Sequence, residues 1–130
     1  MNSVKIFLFS ADNSLVLSVS GCLKEAGFKV ICTPQGIGAL DMIHEEKPAL
    51  VILDHDLPGF NSLAIIRTLR MEGGNGRLPV VLMGTSMRDE DVLIGLETGA
   101  DLCLVETFHP QVFVARVRSL LRRAEPAKVD

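Results

Sequence analysis

Tryptophan and tyrosine are absent from this chain of 130 residues, and six phenylalanines are its only aromatic side chains. That absence argues against an aromatic-rich binding groove and for an aliphatic core of sheet and helix. Long hydrophobic runs are missing too. The apolar stretch from Val4 to Phe9 is interrupted by Lys5 and is too short for a secretory h-region or a membrane span. Positive charge is not in excess: 13 Lys and Arg stand against 16 Asp and Glu, for a net charge of −3. Bulk electrostatics therefore draw the domain toward neither nucleic acid nor an anionic membrane. The three cysteines, Cys22, Cys32 and Cys103, are odd in number and lack CxxC spacing. They are expected as reduced thiols and small core residues of a cytoplasmic protein.

What the chain does have is apolar content, 48% of its residues. At this length that suffices for one domain, burying about two-thirds of the surface its unfolded chain exposes. Short apolar runs alternate with longer amphipathic ones, as βα units building a parallel sheet do. Five strands are predicted, at Val4–Phe9, Lys29–Cys32, Leu50–Asp54, Pro79–Met83 and Leu102–Val105. A helix is predicted over Asn13–Ala26, with Asn13 as N-cap, Leu15, Val19, Leu23 and Ala26 on one face and Gly27 as the stop. Gly36–Glu45 and Asn61–Met71 read alike. The last helix, Pro110–Arg123, opens with proline in its first turn and aligns Phe113, Val117, Leu120 and Leu121. Residues 73–76 read as a loop and residues 125–130 as a tail.

The most informative segment is Leu50-Val51-Ile52-Leu53-Asp54, followed by Leu57-Pro58-Gly59. An unbroken apolar run reads as a strand covered on both faces, and it delivers a carboxylate into a Pro-Gly turn. In a parallel sheet the ligand crevice lies beyond the carboxyl ends of such strands, which makes Asp54 a candidate site residue.

Asp54 and Leu57-Pro58-Gly59 are followed by Leu78-Pro79-Val80-Val81-Leu82, Gly95-Leu96-Glu97-Thr98-Gly99-Ala100-Asp101, Phe108-His109-Pro110 and an arginine-rich helix from Ala115 to Arg123. Together these resemble the response-regulator receiver domain over essentially the whole chain. The Gly-Ala-Asp and Ala-Arg-Val-Arg stretches are most similar to receivers attached to winged-helix transcription factors. The resemblance implies a five-stranded parallel α/β sandwich of the flavodoxin-like kind, with helices on both faces. It implies a non-enzymatic signalling domain over residues 1–123, with 124–130 a tail or the start of a linker to an output domain. Asp54 takes the phosphoacceptor position.

Several positions depart from the family pattern. In the family an acidic pair after the first strand holds a Mg²⁺ that neutralises charge during phosphoryl transfer. Those positions are Ser10 and Ala11 here, with Asp12 displaced by one residue toward the helix cap. Asp56 matches the position whose backbone carbonyl ligates the metal. The resemblance thus implies an acidic pocket of Asp12, Asp54 and Asp56 that binds Mg²⁺ weakly or not at all. The family's hydroxyl residue on the fourth strand becomes Gly84, with Thr85 beside it, and the aromatic to which it couples becomes Cys103. The Lys-Pro after the fifth strand becomes Glu106-Thr107. Charges about 4 Å apart at an effective dielectric near 20 interact by about 4 kcal/mol, so Glu106 replaces an attraction for phosphate by a repulsion.

Two readings follow. The first is a degenerate receiver acting as a phosphorylation-independent interaction or dimerisation module; the alternative is a working receiver phosphorylated on Asp54 by a histidine kinase or small phosphodonor. For the first, the partner is another signalling protein or a second copy. The resemblance points to the fourth helix, fifth strand and fifth helix, with Glu97 and Asp101 opposite Arg116, Arg118 and Arg122, and with Leu93 and Ile94 supplying apolar contact. A third, enzymatic class finds less support. Ser10 to Ser14 lacks the glycines of a phosphate loop. His55, adjacent to Asp54, is expected to point away from the carboxylates, with His44 and His109 on the surface.

Overall fold

Successive side chains of a strand point to opposite faces of its sheet, so a strand apolar at every position demands cover on both sides. The computed structural model describes residues 4–73, 77–105 and 108–124 and meets that demand. Its elements alternate as β1 (Lys5–Phe9), α1 (Asn13–Glu25), β2 (Lys29–Thr33), α2 (Ala39–Glu46), β3 (Leu50–Asp54), α3 (Ser62–Glu72), β4 (Val80–Gly84), α4 (Asp89–Thr98), β5 (Leu102–Val105) and α5 (Pro110–Ala124). The strands form one parallel sheet in the order β2-β1-β3-β4-β5. Phe7, Phe9, Val51, Leu53, Val80 and Leu82 pack under α2, α3 and α4, with Ala39, Ile43, Ile65 and Ile66. Ile6, Leu8, Leu50, Ile52, Val81 and Met83 pack under α1 and α5, with Leu15, Val19, Leu23, Phe113, Val114 and Val117. This is the flavodoxin-like architecture that the sequence resemblance implies. No helix among the described residues is long and apolar enough to cross a membrane.

Several element boundaries differ from expectation by one residue, while α1 begins at Asn13 as expected but is capped from one residue earlier. Asp12, not Asn13, caps α1, its side chain accepting from the Leu15 amide. Asn61 caps α3 from outside, accepting from the Leu63 and Ala64 amides. The larger difference is α2, which begins at Ala39 and not at Gly36. Residues 36–38 form a turn closed by the Ala39 amide on the Gly36 carbonyl, and Gly38 has φ of 79°. A Cβ on Gly36 would lie 2.7 Å from the Cβ of Phe60, so glycine is needed where this turn meets the loop after β3. The cysteines also depart from a uniform core role: Cys22 and Cys103 are half-buried, but Cys32 is exposed. Residues 74–76 of the expected loop and residues 125–130 of the expected tail lie outside the described residues.

At the end of the sheet opposite Asp54, Arg70 of α3 gathers three elements. It donates to the carbonyls of Gly99 and Leu78 and to Asp101 Oδ2. Asp101 Oδ2 also accepts from the Val80 amide, Oδ1 lies 3.2 Å from Arg77, and the Asp101 amide donates to the Val80 carbonyl. Burial pulls the Arg70 guanidinium below its ordinary pKa, and Asp101 opposes that shift. With both side chains 18% exposed, removing one partner leaves the other's charge uncompensated. Asp101→Ala is therefore expected to cost roughly 2–3 kcal/mol of unfolding free energy; urea denaturation measures this, and a loss below 1 kcal/mol would contradict it.

Candidate functional site

The carboxyl ends of β1, β3 and β4 meet at one edge of the sheet, and Asp54 closes β3 there, only 5% exposed. Its position follows from register. Phe9 pairs with Leu53, so Ser10 leaves β1 beside Asp54 and on the same face. The Ser10 hydroxyl donates to Asp54 Oδ2 at 2.7 Å. The Asp56 amide donates to Oδ1 at 2.9 Å. The buried Ser62 hydroxyl, at the start of α3, donates to the Asp54 backbone carbonyl at 2.6 Å. Ser10 Oγ in turn accepts from the Asp12 amide at 3.1 Å, which ties the α1 cap to the acceptor carboxylate through one hydroxyl.

The other sequence-predicted residues are only partly brought together. Asp12 directs one oxygen to the Leu15 amide of α1, while Ala11 and Asp56 are exposed. Among the described residues, no three His, Cys, Asp or Glu side chains converge as a metal site. With Ser10 and Ala11 in place of acids and Asp12 committed to helix capping, the residues present do not fit the Mg²⁺ ion that the resemblance implies. Glu106 and Thr107 lie outside the described residues.

Gly84 is buried at the end of β4 and Thr85 is exposed. The space beside Gly84 is filled: a Cβ there would lie 2.8 Å from Met87 Cγ and 3.2 Å from His55 Cβ. A hydroxyl side chain at position 84 would have to displace Met87. Cys103 of β5 faces α4, and burial pushes its thiol up to about 11, which leaves it largely un-ionised and unreactive near neutral pH.

Two expectations need correction. His55 does approach carboxylates, because it lies in the turn after β3 where strand alternation no longer holds. Its Nδ1 is 3.3 Å from Asp56 Oδ1 and its Nε2 is 3.8 Å from Asp91 Oδ1. Asp101 is not free to face a partner, being engaged by Arg70, Arg77 and the Val80 amide. Arg118 is exposed, with its guanidinium 3.5 Å from the Ala26 carbonyl. Leu93, Ile94, Glu97, Arg116 and Arg122 are exposed. Sequence reasoning missed Ser62, Met87 and Arg70. Ser62 carries a weak signal as the first helical residue after an Asn cap, but nothing in the sequence shows where its hydroxyl points.

Comparison with known proteins agrees with this architecture. The family model described as the response regulator receiver domain matches residues 6–118. The DNA-binding response regulator MtrA of Mycobacterium tuberculosis (strain ATCC 25618 / H37Rv) is 37% identical over 127 residues, covering 96% of this chain and 54% of MtrA. The phosphate regulon transcriptional regulatory protein PhoB of Klebsiella pneumoniae is 34% identical over 108 residues, covering 83% of this chain and 47% of PhoB. The chain thus spans about half the length of these curated relatives. The BeF3-activated N-terminal receiver domain of Klebsiella pneumoniae RstA superposes with a TM-score of 0.81 at 32% identity, covering 91% of this chain and 98% of that one. With a central carboxylate at the end of β3, a 2-1-3-4-5 parallel sheet and a family match across nearly its whole length, the chain belongs to the response-regulator receiver domains of two-component signal transduction.

Proposed function

We propose that this receiver domain works as a phosphorylation-independent interaction module and not as an enzyme. One observation carries the reading: the Asp54 carboxylate is buried with both oxygens already accepting hydrogen bonds, from the Ser10 hydroxyl and the Asp56 amide. A phosphoryl acceptor needs an accessible lone pair and cationic help for the incoming charge. Here each oxygen already accepts one hydrogen bond in a site that is only 5% exposed, and the described residues place no lysine or arginine against Asp54. Gly84, which offers no side-chain hydroxyl, and the misfit to Mg²⁺ support the same reading. The three free cysteines support a reducing, cytoplasmic setting. The alternative is phosphorylation of Asp54 by a histidine kinase or small phosphodonor, favoured by the retention of a carboxylate at the end of β3.

The surface that serves such a module is the one formed by α4, β5 and α5. Leu93 and Ile94 on α4, Val105 on β5 and Val112 on α5 are exposed apolar residues, and Glu97, Arg116 and Arg122 supply charge of both signs around them. Asp101 drops out of this set because it is engaged within the chain, and the exposed Arg118 stays in it. Exposed ion pairs are worth at most about 1 kcal/mol each, so the apolar residues carry the contact. The occupant is a second copy of this domain or another signalling protein, with no direct contact to nucleic acid or membrane. Residues 1–123 make up this module.

Three outcomes are expected. Incubation with acetyl phosphate and Mg²⁺ leaves the intact mass unchanged; a gain of one phosphoryl group that Asp54→Ala abolishes would establish the alternative. Ser10→Ala strips the buried carboxylate of its hydroxyl donor and costs roughly 1–3 kcal/mol of stability in urea titration, with no loss if that hydrogen bond is unimportant. Light scattering at high protein concentration detects weak self-association that Ile94→Glu removes, whereas a monomer at all concentrations would count against the homodimer.

A further inference from the structure

Ile37 and Phe60 are large apolar side chains left 61% and 43% exposed, and each rests on a glycine of the other's loop. Ile37 lies in the turn between β2 and α2, Phe60 in the loop between β3 and α3. The Gly36 amide donates to the Pro58 carbonyl at 3.0 Å, which joins the two. A Cβ on Gly36 would stand 2.7 Å from Phe60 Cβ, and one on Gly59, whose φ is 87°, would stand 3.0 Å from Ile37 Cγ1. Backbone therefore braces both side chains from beneath, and their outer surfaces face solvent. A β-branched or aromatic side chain held this way has little freedom left to lose when a partner covers it.

The surroundings of this ridge carry charge of one sign. Residues 34–40 and 57–66 contain no charged side chain, and Pro34, Gln35, Pro58 and Asn61 are exposed beside Ile37 and Phe60. Beyond them stand two exposed acids, Asp41 in the first turn of α2 and Asp56 in the turn after β3. Among the described residues Asp41 has no ion-pair partner and Asp56 has only His55. Between Lys29 and Arg67 the only lysine or arginine is Lys47, which closes α2 at the end of the sheet remote from Asp54. Single exposed apolar residues are ordinary on a protein surface, but two that meet across preformed loops make a contiguous patch.

We propose that this ridge is a docking surface for another protein, one that presents an apolar segment flanked by Lys or Arg. The apolar contact provides the affinity, and the flanking cations select the partner and its orientation by pairing with Asp41 and Asp56. A second copy of the chain is a poor fit, because Leu93, Ile94 and Leu96, its exposed apolar residues on α4, lie among Asp89, Glu90 and Glu97. β2 and β5 are the two edges of the sheet, so a partner seated here leaves α4, β5 and α5 free. The inference thus stands apart from the reading of that face and from the state of Asp54.

Two synthetic peptides of about 18 residues, long enough to form a helix on binding, test the ridge. Both place Leu at the spacing of one helical face; one carries Lys and the other Glu at the remaining positions. Each is titrated by NMR into the isotope-labelled chain of 130 residues at a concentration where it is monomeric. The Leu/Lys peptide is expected to shift amides within residues 35–41 and 56–61, and to bind about tenfold more tightly than the Leu/Glu peptide. Ile37→Gln, at a side chain 61% exposed and so compatible with the fold, is expected to weaken binding about fivefold. Asp41→Asn is expected to weaken it about twofold and to reduce its dependence on salt. Equal binding of the two peptides, shifts that are absent or confined to α4, β5 and α5, or unchanged affinity in Ile37→Gln would overturn the proposal. Concentration-dependent shifts at Ile37 and Phe60 in the chain alone would make the occupant a second copy and overturn the choice of partner. None of these readouts depends on phosphorylation of Asp54 or on self-association through α4, β5 and α5.

Discussion

A carboxylate buried at the end of a central strand has to be answered by donors, and here one serine hydroxyl and one backbone amide provide them. Much of the site's organisation depends on that constraint. Ser10 can reach Asp54 because β1 and β3 are parallel neighbours in a fixed register. The same oxygen receives the Asp12 amide, so the start of α1 is set relative to β3. Ser62 adds the start of α3 through the carbonyl of Asp54. Three elements are thereby fixed around a single residue. Where the resemblance implies a metal pocket that trades ligands, this chain has a closed hydrogen-bonded knot made of short side chains.

The residues around the pocket are matched to one another in size. Loss of a side chain at Gly84 coincides with a methionine that fills the space. A small residue at Cys103 coincides with a glycine on the helix above it. The buried polar side-chain atoms described all have partners. Native packing tolerates few voids, and Met87 beside Gly84 is a large-for-small match that keeps it.

The fold was largely legible in the sequence because periodicity carries it. All five strands lie where apolar runs were read, and β3 was found by its continuous Leu-Val-Ile-Leu segment. Helix starts were less legible: Asp12 and Asn13 are both good caps and only geometry chooses between them, and Gly36-Ile37-Gly38 looked like a helix entry but is a turn shaped by Phe60. Within the site, Asp54 could be singled out because strand and turn converge on it. Its partnership with Ser10 spans 44 positions and depends on strand order, which local pattern does not encode. The same holds for Arg70 and Asp101, 31 positions apart. Asp101 was placed at an interface by the family resemblance; its burial comes from α3, an element no local window includes. His55 was misplaced for a related reason, since strand alternation ends with Asp54.

The strand order leaves β2 and β5 at the two edges of the sheet, and unpaired edges are templates for runaway sheet extension. They are protected differently. β2 begins with Lys29, a charge that discourages an incoming strand, and its exposed Cys32 and partly buried Thr33 keep its outer end from being uniformly greasy. β5 is entirely apolar apart from one thiol, and its defence is brevity: four residues, started at a fixed register by the two hydrogen bonds between Asp101 and Val80. A strand that short offers few sites for another chain to zip onto. The acid that holds Arg70 therefore also sets where this edge strand begins.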